Sequence, residues 1–74
     1  MKDRVIIEHG SAVRFVQCDE FMGEPAPNMY QVEIRSVRGF WQSVQVMGRF
    51  DVQTITGQDV PYFEVEKSYS VTRV

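Results

Sequence analysis

The sequence predicts a small all-β domain: an antiparallel curved sheet, barrel or sandwich of four to six strands. Three observations carry this expectation. Apolar and polar residues alternate with period two over residues 29–37, 44–52 and 60–74, as in strands with one wet face. β-branched and aromatic residues dominate the apolar positions of those runs, and both types fit a pleated surface. Between the runs stand glycine, proline and aspartate, the residues that let a chain turn.

Seventy-four residues hold one domain, residues 1–74. Such a chain buries a modest core, with net stability of roughly 3–5 kcal/mol. The apolar fraction of 43% and charged fraction of 24% are those of a folded chain, not a disordered one.

Residues 4–8, RVIIE, read as a first strand, broken by His9-Gly10-Ser11. Residues 12–23 have two readings. As a strand, Val13 and Phe15 share one face and Val16 and Cys18 the other. As a short helix around 12–22, Ser11 caps it, Phe15, Cys18 and Met22 fall near one face and Gly23 ends it, which makes the fold α+β. The closely spaced valines with Phe15 favour the strand. Residues 23–28, GEPAPN, form a loop in which Pro25 and Pro27 impose a polyproline-like extended arm. Residues 29–37 are the cleanest strand: Tyr30, Val32 and Ile34 point one way, Gln31, Glu33 and Arg35 the other. Arg38-Gly39 turns the chain, with Gly39 free to take positive φ.

From Trp41 to Ile55 the chain takes fourteen steps. At about 3.3 Å each a straight strand would reach roughly 46 Å. A compact chain of this length is only about 30 Å across. The run must bend or reverse, and Gly48 makes that cheapest. Val44 and Val46 share parity with Phe50 and Val52. A bend at Gly48, or a hairpin with an odd loop at Met47–Arg49, preserves that shared face; a two-residue loop does not. Both surviving forms are extended, and both leave Trp41 and Met47 on the nominally wet face, where the structural alternatives are that Trp41 folds over the sheet edge beside Phe40 or that residues 12–23 cover that face. After a turn at 56–59, residues 60–74 alternate again, with Phe63, Val65, Tyr69 and Val71 on one face and Lys67 interrupting it.

The chemistry-bearing residues are few. Cys18 is the only cysteine and His9 the only histidine. No disulfide forms within the chain, and a small secreted domain normally has several. Their separation matches no nucleophile–base or zinc pattern, so Cys18 reads as a small buried hydrophobe. No cofactor or metal is expected, and the chain reads as non-enzymatic. Val5 to Ile7 is too short a run for a signal peptide, and nothing has the length of a membrane span. The expected location is the cytoplasm.

The candidate binding surface is Trp41 and Met47 among polar neighbours, framed by Arg35, Arg38 and Arg49, with Tyr62 nearby if the last strand pairs there. Trp, Met and Arg are enriched in interface cores. Arginine outnumbers lysine six to two, as at surfaces making planar multi-donor contacts. The expected function is a protein-binding module, a small inhibitor or adaptor of the kind mobile elements such as phages carry. It would act by occupying a surface of a larger complex. The alternative is a small β-barrel binding single-stranded nucleic acid through the same arginines and aromatics. A net charge of −2 and Glu33, Asp51, Glu64 and Glu66 on the wet faces disfavour that alternative. A homodimer through the edge of strand 62–74 is a further route to partners.

Overall fold

The computed structural model describes residues 4–65. Six strands and one helix follow in chain order: β1 (Ile6–Glu8), β2 (Val13–Gln17), β3 (Glu20–Phe21), β4 (Glu24–Pro25), β5 (Met29–Arg35), β6 (Trp41–Gly48) and α1 (Arg49–Thr56). β1, β2, β5 and β6 make one antiparallel sheet in that order; β3 and β4 make a separate two-stranded ribbon. Among the described residues the main sheet does not close into a barrel, and β1 and β6 are its edges. Residues 12–22 are not helical: they hold β2 and then β3.

The ladder fixes which side chains share a face. Ile7 stands opposite Phe15, Phe15 opposite Val32, and Gln17 opposite Tyr30. Ile7, Phe15, Tyr30 and Val32 are buried with Val52 of α1 and Val60 of the loop beyond it, and Val5, Val13 and Met47 pack around them. One face of the sheet is thus covered by α1 and Val60. Gln17, buried among these groups, is satisfied twice: its Nε2 donates to the Pro27 carbonyl at 2.8 Å and its Oε1 accepts from the Val5 amide at 3.1 Å. The Tyr30 hydroxyl is fully buried and has no hydrogen-bond partner among the described residues.

The chain departs from the sequence expectation at its proline-rich segment, after Gly48 and after residue 60. First, residues 24–25 are not part of a free proline-rich arm. Glu20 pairs with Pro25 and Phe21 with Glu24, and Pro25 is tolerated because the ribbon is all edge. The two-residue turn between them has positive φ at both Met22 (56°) and Gly23 (82°), as hairpin twist demands.

Second, the run after Gly48 neither bends as a strand nor reverses as a hairpin: it coils into α1. Gly48 is the N-cap, with no side-chain cap bond, and Gly57 closes the helix in the left-handed region at φ 73°, its amide donating to Gln53. Val52 is buried and Arg49, Gln53 and Thr56 are half-buried. That is an i, i+3, i+4, i+7 stripe. Most of the stripe is polar, while Phe50 and Ile55 face solvent, so hydropathy conceals the helical period. Thr54 and Thr56 return their hydroxyls to the carbonyls of Phe50 and Val52 at 3.0 and 2.7 Å.

Third, residues 60–65 form no strand, so the edge expected over 62–74 is absent at 62–65; residues 66–74 lie outside the described residues. The 61–63 stretch is instead held by Asn28, whose Nδ2 donates to the Phe63 carbonyl and whose Oδ1 accepts from the Phe63 amide, both at 2.8 Å. The Asn28 carbonyl also accepts from the Arg49 amide at 2.9 Å, at the start of α1.

Met22 holds a left-handed conformation that a side chain without a local polar group adopts at a cost of about 1 kcal/mol. Met22→Asn should therefore raise the urea midpoint, stabilising the fold by about 0.5–1 kcal/mol. Tyr30→Phe deletes an unpartnered hydroxyl, and the variant should be at least as stable as the parent in the same titration.

Candidate functional site

The sheet face away from α1 carries a charged row: Glu8 stands opposite Arg14, Arg14 opposite Glu33, and Glu33 opposite Ser43. Arg14 Nε donates to Glu33 Oε1 at 2.7 Å. The ladder partner of Arg35 is Trp41. The Arg14 guanidinium lies 4.2 Å from the centre of the indole, and that of Arg35 lies at 6.0 Å. Trp41 is thus flanked by two cations that its ring face attracts. Arg35 and Arg38 line a shallow cleft of about 470 Å³ with Ser11, Ala12, Ser36 and Val37. The turn over this cleft is tied by the Ser36 amide to the Phe40 carbonyl at 2.8 Å and the Gly39 amide to the Ser36 carbonyl at 2.9 Å, with Gly39 at φ 91°. It presents Val37 and Phe40 to solvent.

Of the sequence-predicted residues, Trp41, Arg35 and Arg38 therefore meet at one end of the β5–β6 hairpin. Arg14 completes the group and was missed. Its signals were present: alternation with Phe15 points it away from the core, and its charge complements Glu33 across the strands.

Met47 does not join them. β6 carries a bulge: Gln45 pairs with Val32, but the next pair is Ser43 with Glu33, leaving Val44 unpaired. One extra residue exchanges the faces of everything beyond it. Met47 opposite Tyr30 packs against the core, while Trp41 faces the other way. Val44, expected in the core, is exposed.

Arg49 and Tyr62 also lie elsewhere, near the far end of β6, roughly 20 Å from Trp41 at about 3.3 Å per residue. Arg49 donates to the Val60 carbonyl through Nε at 3.0 Å and Nη2 at 2.7 Å. Its guanidinium rests 4.7 Å from the Phe50 ring centre and 5.6 Å from that of Tyr62. Gln53 Oε1 accepts the Val60 amide at 2.9 Å. Arg49 is a clasp on the loop that covers the core.

His9 and Cys18 form no dyad. In the β1–β2 register His9 extends past Arg14 and Cys18 past Ile6, at opposite ends of the hairpin. Cys18 is a buried free thiol, as its apolar reading requires. Burial raises its pKa, Arg4 opposes that rise and Asp19 adds to it. Arg4 and Asp19 pair at 2.6 Å beside a cavity of about 250 Å³ that Cys18 helps to line. With this geometry in view, no protein family, curated protein or solved structure matches the chain.

Arg49→Ala should cost about 1–3 kcal/mol, since it removes two charge-assisted bonds and leaves a half-buried carbonyl unpaired; thermal unfolding followed by circular dichroism measures the loss. Cys18 should react with a disulfide reagent at pH 8 about tenfold or more slower in the folded protein than in urea, because the thiolate is the nucleophile and burial disfavours it. The stability that this protonated thiol contributes is complete below its ordinary pKa and is lost as the pH rises through the raised value.

Proposed function

We propose that the protein is a non-enzymatic binding module that docks on a larger protein through the tip of its β5–β6 hairpin. The observation that carries this reading is the flanking of Trp41 by Arg14 and Arg35 beside the exposed side chains of Val37 and Phe40. Rigid aromatic anchors ringed by arginine are the typical composition of interface hot spots. Arg14 is already balanced by Glu33. Arg35 and Arg38 have no acidic partner among the described residues, and both line the cleft. The partner surface suited to this tip has an apolar pocket rimmed by carboxylates. Such a module works by occupying a surface, as a small inhibitor or adaptor does. A reducing, cytoplasmic setting agrees with a single cysteine held as a buried thiol. Among the described residues no helix is long and apolar enough to cross a membrane.

Single-stranded nucleic acid would use the same arginines and indole. It is less favoured because Glu8 and Glu33 share the face and the formal charge is −2, whereas phosphate neutralisation dominates nucleic-acid affinity.

Trp41→Ala should leave the far-UV spectrum and melting temperature nearly unchanged, since the ring lies over the solvent face. It should weaken a captured protein partner by about 2 kcal/mol or more, measured by calorimetry. A collapse in melting temperature would make Trp41 structural and end the proposal. Labelled oligonucleotides should not bind at low salt; binding that falls steeply with salt would transfer the site to nucleic acid.

A further inference from the structure

The main sheet has two edges of unlike character. β1 is three residues long and ends in Glu8, so it offers little to a visiting strand. β6 is eight residues long, and among the described residues it pairs only with β5. Its sequence, WQSVQVMG, contains no charged residue and no proline. Each of the other five described strands contains at least one charged residue. Among the described residues, the longer edge strand of the sheet is therefore the one without the side chains that proteins place to repel a neighbour.

We propose that β6 is a self-association edge, through which two copies of the chain join antiparallel, centred on Val46, into one continuous eight-stranded sheet. A strand with no charge meets its own copy without opposing like charges, and a two-fold contact is self-complementary by construction. The bulge selects the register. Residues opposite one another in a sheet must share a face. Met47 and Gln45 face the core side, and Val46 faces the other. Centring on Val46 sets Val46 against Val46 and Gln45 against Met47, all with matched faces. Val44 then falls opposite Gly48, where no side chain competes for space. Centring on Gln45 would set Met47 against Ser43, which face opposite ways across the bulge. The chosen register also extends the existing row Ile6, Val16, Gln31, Val46 across the two-fold axis. This inference is independent of the hairpin-tip reading, since it uses main-chain pairing and residues 44–48.

Five residues a side make a small contact, so sedimentation equilibrium should be run on the full chain up to about 1 mM. A monomer–dimer equilibrium is expected, with Val46→Lys at least about tenfold weaker because it places two like charges opposite each other. In a Cys18→Ala background, Val46→Cys should form disulfide-linked dimers with added diamide far faster than Ser43→Cys or Gln45→Cys. Only residue 46 meets its own copy within disulfide reach. A monomer at every concentration overturns the proposal. So does a dimer indifferent to Val46→Lys, or one that cross-links faster at 43 or 45; either points to another surface or occupant.

Discussion

The two-faced character of β6 depends on one unpaired residue. Without the bulge at Val44, an unbroken ladder would put Trp41 and Met47 on the same side of the sheet. If Trp41 stayed on the solvent face, Met47 would leave the core; if Met47 stayed inside, the indole would face the covered side. The bulge lets one strand serve two environments. Its C-terminal half, with Met47 opposite Tyr30, closes the core beneath α1. Its N-terminal half, with Trp41 opposite Arg35, belongs to the solvent face, where Arg14 reaches it. An inserted residue of this kind re-aims side chains at little cost because only local pairing is lost.

The core is small and is finished with polar groups. Sheet, helix and the loop beyond the helix meet over six buried side chains. Beyond them, Gln17, Gln53, Asn28 and Arg49 each bind main-chain groups of segments that lack regular pairing. These bonds satisfy carbonyls and amides that a loop over the core would otherwise strand. Arg49 was read from sequence as a recognition residue because arginine suits that role. The same fork of donors suits a buried-edge carbonyl equally well, and residue type alone does not separate the two uses.

Much of the sheet was legible in the sequence and much of its termination was not. Strand β5 and the turn at Gly39 follow from period-two alternation and a φ-tolerant residue; the turn stands as read, and the strand expected over 29–37 spans Met29–Arg35 with Ile34 exposed. Cys18 was rightly placed inside. The helix was hidden because its inward stripe is Arg49, Val52, Gln53 and Thr56, only one of them apolar, while Phe50 and Val52 continued the strand parity. Gly48 supplied no capping side chain to mark a helix start; Gly57 was the one local signal, and it reads equally as an ordinary turn. The bulge has no glycine or proline to announce it, so register across Val44 could come only from tertiary pairing. The site was half legible for the same reason: Trp41, Arg35 and Arg38 lie on one side of the bulge, and Met47, Arg49 and Tyr62 lie beyond it.

The clasp by Asn28 bears on the order in which the molecule assembles. β1–β2 and β5–β6 are hairpins whose partners lie close along the chain, and such local pairings close quickly. Asn28 and Phe63 are separated by 35 positions, and closing a contact so distant along the chain carries a larger entropy cost than pairing within either hairpin. An interaction made after the rate-limiting barrier acts on the lifetime of the native state and leaves the speed of reaching it nearly unchanged. If the Asn28–Phe63 clasp forms after that barrier, its loss would shorten the lifetime of the native state far more than it slows folding.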